Sequence, residues 1–571
     1  MNTLTLCALA FIAYIIAYRI YGRFLARRVF AIDPKMTMPA VSRHDGVDFV
    51  PSSRNLVLGH HFTTIAGLGP IVGPAIGIIW GWLPAFLWVV FGSIFMGAVH
   101  DFSAMVISAR HQGRTIGDLT GDILGPTGRL AFQILVQFLL WIVVSIFALI
   151  MGVLFNMYPA AVIPVVAEIP LAVWLGIRIR RGKGDRGASL AAVALLFLLI
   201  WIGQMVPITL PPLFGSPVIT WTILLFGYVF FASTLPIDIL LQPRDYLNSH
   251  QLIVIMALLA VGVIIGHPQV SAPAINPAIT TADIPAIFPL LFITIACGAI
   301  SGFHSLASSG TTVKQIEAAS DMLPVGFGGM LLEGVLAILV IAAVAGGLGM
   351  GIEEGGHLYT GGAAFQHHYA SWASAKGLGP KLAAFINGGA NLMASYGLPA
   401  QLGRTMLAVF IVSFAGTTLD SATRIQRLAL HELCRRPDGR AIRPFNNSYL
   451  VTALVIAAAA VLTFAKPGAK GALVLWPLFG AANQLLAGLG LAVATVYLFR
   501  KGKNLLVTGI PMLFIMTMTI WGMVLNLKTF MAANDYLLIW VSLAIFALTI
   551  LIITAAIRAI ASTGPAKPTT P

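Results

Sequence analysis

Fifteen long apolar runs dominate this chain, at residues 3–21, 62–81, 83–109, 130–155, 160–177, 188–208, 217–240, 252–267, 288–310, 322–350, 399–418, 447–464, 472–498, 505–526 and 535–557. A helix that crosses a bilayer needs about 20 mostly apolar residues. Of the 571 residues, 58% are hydrophobic and only 9% are charged, against about 25% charged in an ordinary soluble domain. In hydrocarbon each run must satisfy its own backbone polar groups, which an α-helix does. The expected fold class is therefore an all-α polytopic membrane protein with about 15 transmembrane helices. The stretch 382–396 reads as a further short or re-entrant segment.

The charges set an orientation. With the N-terminus outside and the runs alternating, 28 of the 34 Lys and Arg residues fall in inside loops. That asymmetry is the positive-inside rule, and it places the C-terminus in the cytoplasm. Residues 268–287 and 351–375 contain no Lys or Arg and read as outside segments. The net charge of +14 is spread over short loops, which argues for topology and against a nucleic-acid groove. Residues 3–21 read as a retained helix and not a cleaved leader, because Arg19, Arg23, Arg27 and Arg28 follow the apolar run. Cys7, Cys297 and Cys434 have no metal-binding or disulfide spacing and read as free thiols. No nucleotide-binding or hydrolase motif occurs, so a cofactor is not expected.

Run 62–81 carries Gly67-Leu68-Gly69-Pro70 and then Gly73-Pro74, which a regular helix does not tolerate. Broken membrane helices survive where they line a cavity. Their half-helix N-termini suit anions and their carbonyls suit cations. A second interruption is expected at Ala232-Ser233-Thr234-Leu235-Pro236. Five runs then fill 62–208 and five more fill 217–418, entering from opposite sides, as in an inverted-repeat transporter. The expected organisation is a leading helix and loop over 1–54, a transporter core over 55–425 and C-terminal helices over 426–571.

Several blocks carry a family resemblance. They are Arg54 through His60-His61 to Gly73-Pro74, Val99-His100-Asp101-Phe102, Leu241 to Leu247, Ser301 to Thr312, Thr417 to Arg424, and Trp476 to Leu485. In this order they resemble the carbon starvation protein family, from about residue 15 to 500. The resemblance implies a bacterial inner-membrane carrier for peptides or pyruvate when carbon is scarce, driven by protons. It also implies kinship with the amino acid–polyamine–organocation carriers and their inverted repeat of five and five helices. The chain departs from longer members in lacking an extra leading helix and in ending soon after residue 557.

Candidate site residues follow. Gly67, Gly69 and Gly73 are expected to present half-helix ends to a substrate carboxylate near the midplane. Ser305, Ser308, Ser309, Thr311 and Thr312 form a hydroxyl-rich run suited to a substrate or to sodium. If the repeats hold, that run lies on the eighth core helix. His60, His61, Asp101, Asp238 and His304 are the candidate proton carriers, since histidine titrates near neutral pH and an intramembrane carboxylate is costly unless it works. His60 and His61 are placed at the helix entrance, and His100 beside Asp101. Asp238 is placed deep in a span with Arg244, followed by Asp245, as its nearest partner. Asp420 and Arg424 share a helix face and are expected to pair. Asn483 and Gln484 form a buried amide pair. His357, His367 and His368 match no strong metal template and read as a solvated loop.

The preferred function is a secondary symporter for a small carboxylate or short peptide, with a proton as coupling ion and sodium as the alternative. A membrane nutrient sensor is the rival reading. A channel needs rings of like groups, and an enzyme needs a nucleophile–base arrangement; neither pattern is present. The lipid bilayer and the small substrate are the only partners implied.

Overall fold

The computed structural model describes residues 1–182, 186–280, 284–372, 378–434, 442–469 and 471–562. Seven basic residues of the charge pattern, Lys183, Lys376, Arg435, Arg436, Arg440, Lys470 and Lys567, lie outside these. Among the described residues, twelve helices are long and apolar enough to cross a membrane, or thirteen with one bent pair counted as a span. The chain opens with α1 (Thr3–Val29). The bent pair is α2 (Arg54–Ile65) and α3, whose regular part is Gly69–Gly77. There follow α4 (Trp82–Arg110), the short α5 (Ile116–Leu124), α6 (Pro126–Met157), α7 (Pro159–Arg180) and α8 (Gly187–Met205). Next come α9 (Pro217–Thr234) and α10 (Leu241–Gly266). The expected run 288–310 is two short helices, α11 (Ile287–Thr294) and α12 (Gly302–Gly310). Then come α13 (Ala319–Met350) and a two-stranded hairpin, β1 (Ile352–Glu354) and β2 (His357–Tyr359), a small exception to the all-helical expectation. The chain ends with α14 (Gly361–His368), α15 (Leu378–Ala394), α16 (Ala400–Leu433), α17 (Ser448–Phe464), α18 (Trp476–Arg500), α19 (Leu506–Ala532) and α20 (Tyr536–Ser562). The stretch expected to be short or re-entrant lies largely within α15.

The first break is where the sequence put it. The chain bends by 46° between α2 and α3. Pro70 sits in the first turn of α3, where a missing N–H costs nothing. The second break is not. Pro236 ends α9 and opens a turn before α10, so residues 232–236 do not interrupt a span. The interruption lies instead at residues 295–301, between α11 and α12. That segment holds one glycine and no proline. Packing decides it. Gly69, Gly73 and Gly77 form a small-residue stripe along α3, and a side chain added at each would meet Cys297, Thr294 or Ile295. The backbone of α3 therefore lies directly against the second broken segment.

Helix lengths repeat after each break. The first broken pair is followed by helices of 29, 32, 18 and 26 residues, namely α4, α6, α9 and α10. The second is followed by helices of 32, 34, 17 and 25 residues, namely α13, α16, α17 and α18. The hairpin α7–α8 and the shorter α5, α14 and α15 are additional to this pattern. Helices α6 and α16, of 32 and 34 residues, pack along each other.

The ends of the helices define two faces. On one, the Thr3 amide donates to Pro268 over 3.1 Å, beside the segments without Lys or Arg. On the other, the loop before α2 ties the basic segments together. The Val50 and Ser52 amides donate to the carbonyls of Lys314 and Gln315, and Arg424 reaches Asp48 at 2.6 Å. Arg110 on this face donates to the Phe30 carbonyl.

Candidate functional site

The two breaks share one cavity of about 420 Å3. Leu68, Gly69, Val72 and Gly73 line it from α3, and Thr294, Ala296 and Cys297 from the second break. Trp476, Phe479 and Asn483 of α18 and Asn526, Thr529 and Phe530 of α19 form another wall, with Phe147 and Trp372. None of these described lining residues is charged. An anion entering it meets the N-terminal end of α3, amides, hydroxyls and aromatic faces. The volume is ordinary for a small-molecule site.

Of the expected substrate residues, Gly69 and Gly73 line the cavity, whereas Gly67 packs against Thr418 and Phe147. The hydroxyl run does not line it. Ser305, Ser309 and Thr311 donate to carbonyls of their own segment, at Gly302, Ser305 and Ala307. Ser308 is buried and its hydroxyl has no partner among the described residues. The run lies on α12, the helix after the second break, and on the turn beyond it.

Two clusters of buried polar side chains lie outside the cavity lining. In the first, Arg244 of α10 donates through Nε to Glu168 of α7 at 2.9 Å and through Nη1 to Asp420 of α16 at 2.5 Å. Tyr228 of α9 donates to Asp420 at 2.7 Å, and Ser413 to the second oxygen of Glu168 at 2.8 Å. Next to it, Asp245 meets Nδ1 of His60 at 2.5 Å and accepts from Thr64 at 3.2 Å. Asp420 and Arg424 therefore do not pair with each other. They are four residues apart on α16, but Asp420 serves Arg244 and Arg424 serves Asp48 at the basic face.

In the second cluster, Asp101 of α4 lies between Nδ1 of His100, at 2.9 Å, and Nδ1 of His304 on α12, at 3.0 Å. The other ring nitrogen of His304 is 3.4 Å from Glu333 of α13. His61 bonds Thr312 at 2.9 Å. His60 and His61 are 0% exposed, so neither sits in interfacial water at a helix entrance. The second cluster reaches the cavity wall by a short chain of bonds. The side chain of Asn483 donates to Ser301 at 2.9 Å, and the His304 amide donates to the Ser301 carbonyl at 3.2 Å. Gln484 donates to the Phe292 carbonyl at 3.1 Å, which braces α11.

Asp238 is not deep in a span. It lies in the turn after Pro236 with Arg180, 53% exposed, at 3.6 Å as its ion partner in place of Arg244. At the β-hairpin and α14, His367 pairs with Glu354 at 2.8 Å and stacks on Tyr359 at 4.0 Å. Among the described residues no group of three or more acidic, His or Cys side chains is arranged to hold a metal.

Glu168, Glu333 and Tyr228 were missed from sequence. Glu168 and Glu333 carried a usable signal, since each is a carboxylate inside an apolar run. Tyr228 carried none.

The family model for "Carbon starvation protein CstA" matches residues 2–352 and 361–522. The "Peptide transporter CstA" of Mycobacterium tuberculosis H37Rv is 34% identical, over 91% of this chain and 74% of that protein. The protein of the same name from Campylobacter jejuni is 32% identical, over 94% of this chain and 82% of that protein. The "Pyruvate/proton symporter BtsT" of Escherichia coli K12 is 32% identical, over 90% of this chain and 80% of that protein. A solved manganese transporter from Eremococcus coleocola overlays 91% of this chain and 99% of its own at 12% identity, with a TM-score of 0.45. By the family match and these identities, this chain belongs to the carbon starvation protein CstA family, a family of membrane transporters and not of enzymes.

Proposed function

We propose that this chain is a proton-coupled symporter that takes a small carboxylate or short peptide across the bacterial inner membrane. The observation that carries this reading is the uncharged cavity at the meeting of two broken helices, linked through Asn483 and Ser301 to the buried His304 and Asp101. The substrate carboxylate sits at the N-terminal end of α3, by Gly69 and Gly73. The proton is held behind the cavity wall. Relatives named for peptide and for pyruvate/proton transport support this class of cargo.

The repeats that rock against each other are 54–266, with the α7–α8 hairpin inserted, and 287–500. The matching helix lengths support these limits over 62–208 and 217–418. The inserted hairpin adds two crossings, so the first and second broken helices enter from opposite sides, as an inverted repeat requires. The N-terminus lies outside and the C-terminus in the cytoplasm, in keeping with 28 of 34 basic residues on one side.

Sodium coupling is the second reading. One observation favours it: the hydroxyls of Thr418 and Ser421 are buried without a partner among the described residues, and Thr418 packs against the first break at Gly67. The deciding experiment is uptake of labelled pyruvate and labelled dialanine into proteoliposomes under imposed proton or sodium gradients. Uphill uptake driven by protons supports the first reading, and uptake driven only by sodium supports the second. No uptake of either probe by folded protein would sink both for these cargoes.

A further inference from the structure

Glu333 lies inside the apolar span of α13 and is 0% exposed. Neither of its oxygens accepts a hydrogen bond from any described residue. Its one ion partner among the described residues is Nε2 of His304, at 3.4 Å. Titratable groups on several of the elements packed around this pair bear on its charge, while α3, which also packs on α13, carries none. The groups are Tyr14 of α1, bonded to Ser93, His61 of α2, His100 and Asp101 of α4, and Cys297 at the second break. No described Lys or Arg makes an ion pair with Glu333, Asp101 or His304.

Counting protons leads to a definite conclusion. Asp101 lies within hydrogen-bond distance of Nδ1 of both His100 and His304, and as an ionised carboxylate, which can only accept, it takes an N–H from each. A neutral His304 then turns the lone pair of Nε2 towards Glu333. An ionised Glu333 would face that lone pair with no donor, which is prohibitive for a carboxylate at this depth. One additional proton resolves the conflict. On Nε2 it makes an imidazolium between two carboxylates. On Glu333 it makes a neutral acid whose O–H points at Nε2. The two forms interconvert by moving that single proton across the gap, and both leave the cluster one net negative charge. Losing the proton to water would leave two like charges buried together.

We propose that Glu333 and His304 share the coupling proton, with Asp101 as the positioning residue that fixes the imidazole. This rests on the proton-symporter reading above and adds Glu333 as its proton-binding group. The link to cargo is Asn483. It lines the cavity, and its side-chain carbonyl accepts from the Phe303 amide at 3.1 Å, at the start of the helix that carries His304. Cargo engaging Asn483 acts on the end of α12 and so on the fit between His304 and Glu333.

The test uses the full chain in proteoliposomes with labelled pyruvate and labelled dialanine as probes. Two readouts are compared: accumulation under an inward proton gradient, and tracer self-exchange at equal pH. Glu333→Gln should lose accumulation and keep self-exchange, while Glu333→Asp keeps accumulation with a displaced pH midpoint. Asp101→Asn should displace the same midpoint. Unchanged proton-driven accumulation in Glu333→Gln overturns the proposal. So does joint loss of both readouts in both Glu333 variants when they still elute as folded protein. A measurement on the unmutated chain covers variants that do not fold. Dicyclohexylcarbodiimide reacts with protonated carboxyls in apolar surroundings, and mass spectrometry should find its adduct on Glu333, declining as pH rises. No adduct on Glu333 at any pH overturns the proposal. If the adduct forms but the unmutated chain moves neither probe, the cargo reading fails and the proton site stands.

Discussion

The clusters around Arg244 and His304 are equally buried, yet they are built on different terms. Around Arg244, Glu168 accepts on both oxygens, and Asp420 accepts from a guanidinium and a phenol. Around His304, Glu333 has no hydrogen-bond donor at all among the described residues. A cluster whose carboxylates are met by fixed donors holds helices in place, here α7, α9, α10 and α16. A cluster that is short of a donor is completed only by a mobile proton. Helix α2 joins the two, because neighbouring His60 and His61 point one to Asp245 and the other to Thr312. Asp420 leaves only its Oδ1 without a donor among the described residues, whereas Glu333 leaves both oxygens. The difference teaches that burial alone does not mark a coupling site, and that a carboxylate met by no donor on either oxygen does.

The largest expected effect breaks the first cluster. Arg244→Leu strands two carboxylates and should cost about 3–5 kcal/mol. Thermal unfolding in detergent checks this, and an unchanged midpoint would remove the bracing role. Arg244→Lys should lie between, because an ammonium cannot fork to both carboxylates.

Next is the seam between the broken helices. Gly69→Ala puts a methyl group onto Cys297, and overpacking of this kind costs about 1–3 kcal/mol. Uptake and the unfolding midpoint should both fall, and a second change, Cys297→Gly, should restore part of each. No recovery would mean that the seam is looser than it looks.

A smaller effect is expected at the basic face. Burial pushes the Asp48 carboxyl up, but the Arg424 charge, helped by Lys314 and Arg427, outweighs this and holds it below its ordinary value. Because its folded pKa is lowered, its contribution is complete above the unfolded carboxylate value near pH ~4 and is lost as pH falls through the folded value. Asp48→Asn should cost about 1 kcal/mol at neutral pH and flatten the acid limb of the stability profile. An unchanged acid limb would contradict the pairing.

Smaller again is Glu333→Gln read as stability. With a proton already shared there, an amide of the same shape should change stability by less than about 1 kcal/mol. Matching it against Arg244→Leu is the sharpest test of the contrast between the clusters. A loss as large as that of Arg244→Leu would put Glu333 among the braces. The smallest change is His367→Gln beside the β-hairpin, within about 0.5 kcal/mol for an exposed pair and without effect on uptake. A clear loss of uptake there would give that hairpin a part in transport.

Much of this architecture was legible one segment at a time. Hydropathy marked the spans, and Gly67 to Pro74 announced the first break through residues that cannot continue a helix. The second break carried no such mark, since it holds no proline and Ala296 and Ala299 favour a helix. It is imposed by the glycine stripe of α3 lying against it. Pro236 was read as breaking a span and instead follows the end of α9, since whether a proline ends a helix or breaks one depends on where the chain goes next. The pairing of Asp420 with Arg424 failed for a related reason. Both share a helix face, but Arg244 and Asp48 approach that face from elsewhere and offer closer charges.

By itself the sequence determined that this chain spans a membrane many times, which loops are basic, and where one helix must open. Transfer of apolar side chains and the steric limits of proline act locally, so each segment settles these matters alone. The tertiary structure decided which carboxylate meets which cation, which glycines border the cavity, and that Glu333 is left short of a donor. Those outcomes depend on helices far apart in the chain meeting at ångström distances.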